Sequence, residues 1–131
     1  MNIQELSVGD WVMWKVYNKT YDIQITEIGN TLIKGLNDDI EYGVLLHQLS
    51  PIPLTAEILE KNGLEFIDDG NDAIIFLCCD MFWARLCVGD TYWQVGIHNQ
   101  DRNDAVMCEA QNVHQLQHAL RLAGIEKEIV L

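Results

Sequence analysis

Residues 51–63, Pro-Ile-Pro-Leu-Thr-Ala-Glu-Ile-Leu-Glu-Lys-Asn-Gly, constrain this chain more than any other stretch, because they spell a short helix with both ends marked. Pro51 and Pro53 hold the approach extended, since a proline ring disfavours helical geometry in the residue before it. Thr55 is placed to accept a hydrogen bond from a first-turn N–H that has no partner inside the helix. Glu57 lies where the helix dipole is positive, and Gly63, after Asn62, supplies the left-handed residue that ends a helix. Leu54 and either Ile58 or Leu59 are spaced for a hydrophobic staple. The predicted helix, about 55–62, divides two unlike halves.

The half before it, residues 1–53, reads as short strands. Gly9-Asp10 forms a turn that opens a strand through Trp14. Tyr21, Ile23 and Ile25 alternate with Asp22, Gln24 and Thr26, the period of two that marks a half-buried strand. Gly29-Asn30 and Asn37-Asp38-Asp39 punctuate two more strands, and residues 49–52 make a last extended segment. Five short strands in about fifty residues predict a small SH3-like β-barrel. Residues 54–131 predict an α+β domain. After the first helix come strands at 64–67, 73–79, 82–88, 92–97 and 105–110, with the apolar 73–79 run expected at the centre of the sheet. Asn112 then caps a helix over about 113–123, with Val113, Leu116, Leu120 and Ala123 on one apolar stripe and Gly124 at its end. Residues 126–131 are expected to close the chain as a short final strand. The predicted fold class is therefore α+β, an N-terminal SH3-like barrel packed on a C-terminal layer of mostly antiparallel strands with two helices.

Composition excludes several functions. The chain of 131 residues carries a formal net charge of −12, spread over both halves. Nucleic-acid binding needs a cationic footprint, so no direct contact with DNA or RNA is expected. No run of about 18 apolar residues is present to span a membrane. The first six residues have neither the basic region nor the apolar core of a signal peptide, so a cytoplasmic location is expected. Cys78, Cys79, Cys87 and Cys108 form no Cys-x-x-Cys pair and read as buried thiols. Cys78 and Cys79, adjacent in a strand, point to opposite faces.

The polar constellations give no catalytic site. His114 and His118 stand one helical turn apart, the spacing that lets two imidazoles share an ion. Gln115, however, occupies the position where a zinc-hydrolase helix carries its glutamate base, and glutamine cannot serve as one. Third-ligand candidates (His98, Cys108, Glu109) are scattered, and the histidines read as a solvent-facing pair. The carboxylates at Asp38, Asp39, Glu41 and at Asp68, Asp69, Asp72 sit among turn residues, where aspartate bonds locally. No nucleophile elbow, phosphate loop or dinucleotide fingerprint occurs, so no catalytic residue, cofactor or metal is assigned. The best binding hint is aromatic. Trp11 and Trp14, three apart in one strand, face opposite sides, so one belongs in the barrel and one outside. With Tyr17 and Tyr21 beside the adjacent turn, they are expected to make a protein-binding site of the peptide-groove kind. Val-Gly-Asp recurs at 8–10 and 88–90; Gly-Asp turns leading into aromatic strands are common, so the echo reads as coincidence and not as duplication.

Three segments in this order, Leu-Ser-Val-Gly-Asp-Trp-Val at 6–12, Ile-Pro-Leu-Thr-Ala-Glu-Ile-Leu-Glu-Lys-Asn-Gly at 52–63 and Val-His-Gln-Leu-Gln-His-Ala-Leu-Arg-Leu-Ala-Gly-Ile-Glu-Lys-Glu-Ile-Val-Leu at 113–131, carry a resemblance. The chain resembles a family of small uncharacterised proteins of Bacteroides-type gut bacteria and their prophages. The resemblance implies a cytosolic protein of a kind carried by mobile elements, and brings no catalytic residues. His118 stands where such sequences often have asparagine or another polar residue. The expected function is a non-enzymatic, acidic protein-interaction module with an unknown protein partner. Two alternatives stay open: an inhibitor that mimics DNA through its acidic surface, and a metal-dependent enzyme at His114 and His118.

Overall fold

A computed structural model describes residues 1–68, 73–78, 81–87, 89–98 and 104–131. Two antiparallel sheets and two helices make the chain α+β. It divides into two compact units, Met1–Ile52 and Pro53–Leu131. No helix among the described residues is long and apolar enough to cross a membrane. Asp69, Asp72, Cys79 and Val88, each part of an expectation above, lie outside the described residues.

In the first unit, β1 (Trp11–Val16), β2 (Lys19–Ile28), β3 (Ile33–Asn37) and β4 (Ile40–Val44) form a meander, and β5 (Leu49–Pro51) returns beside β1. The order is β4-β3-β2-β1-β5. The expected barrel is not closed, because no ladder joins β4 to β5 among the described residues. The sheet nevertheless curls strongly. Trp14 on β1 and Tyr42 on β4 have ring centroids 5.3 Å apart, although two strands lie between them. In a flat sheet those strands would stand about 14 Å apart. Inside the curl, Val12, Ile23, Ile25, Ile33, Val44 and Leu49 form one buried cluster with Leu6. A bulge in β2 between Ile25 and Glu27 adds to the bend. Gly35 is needed at the tightest approach, since a Cβ there would come within 2.6 Å of the buried Ile23 Cδ1.

The turn ahead of β1 is tied to β2. Gly9 adopts φ +95°, the Asp10 N–H donates to the Ser7 carbonyl, and the Ile25 N–H donates to the Asp10 carbonyl. Asp10 is fully buried, with its Oδ2 accepting from the Ser7 N–H at 2.8 Å. The second Val-Gly-Asp uses the same local bond, from the Asp90 N–H to the Cys87 carbonyl with Gly89 at φ +87°. Asp90 is exposed, so the echo is shared turn chemistry and not a shared buried carboxylate.

In the second unit, α1 (Ala56–Lys61) is capped as its sequence predicts. The Thr55 Oγ1 accepts from the Ile58 N–H, and Leu54 and Leu59, at the staple positions, are buried. Gly63 at φ +81° completes a Schellman ending, with bonds from Leu64 to Leu59 and from Gly63 to Glu60. The sheet that follows contains β6 (Glu65–Asp68), β7 (Ala73–Cys78), β8 (Phe82–Cys87), β9 (Trp93–His98) and β10 (Asp104–Ala110) as a simple meander. The middle strand is therefore β8, not the more apolar β7. One face of β7 is buried at Phe76 and Cys78 but exposed at Ile74, while Ile75 and Leu77 opposite are half-buried. On the buried face Phe76, Phe82, Ala84, Trp93, Val95 and Ala110 are nearly inaccessible. The helix α2 (Val113–Leu122) packs against β9 and β10 and ends in a second Schellman pattern at Gly124.

Residues 126–131 belong to no strand, contrary to the expected closing one. Their partner is a side chain. The Asn62 amide accepts from the Val130 N–H at 2.8 Å and donates to the Val130 carbonyl at 2.8 Å, as a neighbouring strand would. The same nitrogen donates to the Ile58 carbonyl, so the end of α1 and the end of the chain share one residue.

Candidate functional site

The four predicted aromatics do not form one patch. Trp14 pairs with Tyr21 across β1 and β2, on the same face as Val12 and Ile23. Their rings stand 5.6 Å apart, and with Tyr42 they make a half-buried aromatic trio at one end of the core. Trp11 lies on the opposite face, half-buried, beside Gln24. Tyr17 is different again. It sits at the tip of the β1–β2 hairpin, 100% exposed, between the paired Val16 and Lys19.

Tyr17 also holds a left-handed backbone, φ +55°. The first position of a two-residue hairpin turn favours glycine or asparagine, because a Cβ there crowds the following carbonyl. A bulky aromatic in that place, packed on nothing, costs stability. Replacing Tyr17 with glycine is expected to raise unfolding stability by about 0.5 kcal/mol, the relief of strain partly offset by glycine's greater unfolded freedom. Urea denaturation of the full chain measures it. The β3–β4 turn shows the contrasting solution, with Asp38 and Asp39 at φ +47° and +65° in the turn role their sequence predicts.

Beside Tyr17 the surface opens into a cleft of about 540 Å³, lined by Lys15, Val16, Tyr17, His47, Gln48, Leu49 and Ser50. It exists because β1 outruns its neighbour. The β1–β5 ladder stops at the Trp14–Leu49 pair, and the chain before Leu49 is a 3₁₀ turn, Leu46–Gln48. Gln48 fixes that turn, its Oε1 accepting from the Leu45 N–H and from the Trp14 Nε1–H, each at 3.1 Å. The aromatic trio thus braces the cleft from behind through Gln48. Ser50 has its Oγ enclosed and without a hydrogen-bond partner among the described residues, and His47 lines the same cleft.

The histidine pair is not the solvent-facing one expected. His114 is 2% exposed, and its ring meets that of half-buried His118 edge-on, with centroids 5.8 Å apart. Among the described residues no group of three His, Cys, Asp or Glu side chains stands close enough to hold a metal. Gln115 caps the start of α2, its Oε1 accepting from the Gln111 and Asn112 N–H groups at 2.7 and 3.2 Å. None of the described cysteines is in a disulfide, and partial burial raises the Cys108 thiol above its ordinary range.

Of the four aromatics singled out in the sequence, Tyr17 lines the cleft, Trp14 stands behind it through Gln48, Tyr21 belongs to the aromatic trio and Trp11 to the other face, whereas Lys15, His47 and Ser50 line the cleft without having been singled out. A signal was present. The segments 11–21 and 42–56 contain no aspartate or glutamate, in a chain that has 20. These are the segments the cleft is made from. Comparison of the chain with protein-family models, curated proteins and solved structures found no match.

Proposed function

We propose that the chain is a non-enzymatic, acidic protein-interaction module that binds its partner at the hairpin-tip cleft of the N-terminal unit. The observation that carries this reading is Tyr17, a fully exposed aromatic held in a left-handed backbone at the rim of a cleft. Strained, exposed residues mark places where contact with another molecule outweighs local stability. The N-terminal unit is read as an SH3-like fold with its β4–β5 seam open. Supporting that reading, Val44 of β4 and Leu49 of β5 share one core cluster and Trp14 touches Tyr42 across the curl. Trp11, on the other face, falls outside this site.

Affinity capture from a host lysate, with the wild-type chain and the Tyr17→Gly variant side by side, tests the proposal. Proteins enriched by the wild type should fall about tenfold or more with the variant, a typical loss for an aromatic anchor. The variant is expected to be no less stable, and its urea midpoint checks that unfolding does not explain the loss. Unchanged recovery of every enriched protein would overturn the assignment of this cleft.

A further inference from the structure

Charge is segregated in the N-terminal unit, and the cleft lies where the positive charge collects. Of the three basic residues before Pro53, Lys15 lines the cleft, and Lys19, paired with Val16, lies at the same hairpin tip on the opposite face. The third, Lys34, is engaged elsewhere, its Nζ 3.1 Å from Glu27 Oε2. His47 faces the tip from the 3₁₀ side, and no carboxylate lines the cleft. A chain of net charge −12 therefore presents a local cationic surface around an aromatic ring.

We propose that this cleft takes an acidic peptide segment, with Asp or Glu side chains of the partner seated between the Lys15 ammonium and the His47 imidazole and an apolar or aromatic side chain against Tyr17. The proposal rests on the cleft being the interaction site. Three physical arguments favour a peptide. The volume suits a few side chains and not a folded domain. Beyond the Trp14–Leu49 pair, the β5-facing edge of β1 has no ladder partner among the described residues, so an extended chain can add backbone hydrogen bonds there. A nucleic acid brings evenly spaced charge over a long span and meets the repulsion of the whole acidic surface. A few carboxylates confined to the cleft lie within a Debye length, about 8–10 Å, of Lys15.

The test selects random peptides, displayed through their C-termini so that none has a free terminal carboxylate, on the full chain. Affinities of the selected peptides, synthesised with a fluorescent label and an amidated end, are then measured. The proposal expects sequences rich in Asp and Glu. Binding should weaken about tenfold in the Lys15→Glu/His47→Glu variant, and recover when the acids of the peptide are changed to lysine. Lys15→Gln/His47→Gln, which introduces no new repulsion, gives a milder loss, and melting curves confirm that each variant is folded. Acidic peptides that bind the reversed variant equally well would overturn the proposal, as would displacement of the peptide by a short oligothymidylate at equal concentration. Selection of neutral or basic peptides that Tyr17→Gly weakens would overturn the acidic ligand and leave the cleft standing. Peptides indifferent to Tyr17, Lys15 and His47 alike would overturn both.

Discussion

Replacing Asn62 with alanine is expected to lower the stability of the C-terminal unit by about 3 kcal/mol. The side chain is 5% exposed and makes three hydrogen bonds, one to the last turn of α1 and two to Val130. Alanine removes all three and leaves the Val130 N–H and carbonyl without the partner that replaces a strand. Each such bond contributes about 1 kcal/mol net, and a buried group left unmade costs more. The neighbouring Ile129, 2% exposed, would lose the clamp that holds it in place. Asn62→Asp keeps the acceptor for the Val130 N–H but sets a buried carboxylate oxygen against the Ile58 and Val130 carbonyls at the negative end of α1, so its loss should be at least as large as that of alanine. Hydrogen exchange at Phe76 and Val95 in the full chain reads the effect inside this unit. Exchange unchanged in Asn62→Ala would mean that the closing segment contributes little.

The corresponding lesion in the N-terminal unit is Asp10→Ala, expected to cost about 2 kcal/mol. Asp10 is fully buried, and its carboxylate binds the Ser7 N–H across the turn that leads into β1. Its backbone and that of Gly9 are bonded to Ile25, and the Gln24 side chain donates to the Gly9 carbonyl. Loosening the turn therefore loosens the start of the β1–β2 ladder. Asn retains an oxygen acceptor of nearly the same shape, so Asp10→Asn should cost less than half as much. Exchange at the Ile23 and Ile25 amides separates the two variants. Equal losses would show that charge, and not the turn bond, is what the site needs.

These two residues also show which parts of the fold were legible in the sequence. The caps of α1 and the Gly9 and Gly63 turns were readable because their causes are local, a side chain and a backbone preference within a few positions. Asn62 was read as half of a helix ending. Its larger role depends on Val130, far along the chain, and no periodicity reports a side chain standing in for a strand. His114 was misjudged for a similar reason. The Val113–Leu116–Leu120 stripe marks the centre of the buried face, whereas α2 is buried over a wider arc that takes in His114 and Gln117. The position of β8 at the middle of the sheet follows from a simple meander and not from hydrophobicity.

For the candidate site, alternation correctly set Trp11 and Trp14 on opposite faces. It did not reveal that Trp14 serves the cleft indirectly, through Gln48. His47 joined the site because a 3₁₀ turn peels away from β1, and short polar helices of this kind leave almost no hydrophobic pattern. The gap in carboxylates over 11–21 and 42–56 was the readable trace of the cleft, since charge balance along a sequence survives folding even when the pairing of segments is unknown.

The central claim, that the hairpin-tip cleft is where a partner binds, is tested most directly by titrating the isotopically labelled full chain with a selected peptide and following its amide spectrum. The largest shifts should fall on residues 15–19 and 46–50, with smaller ones at Trp14 and its indole N–H. Shifts concentrated instead on the second face of the C-terminal sheet, around Ile75 and Val106, with the hairpin tip unmoved, would contradict it.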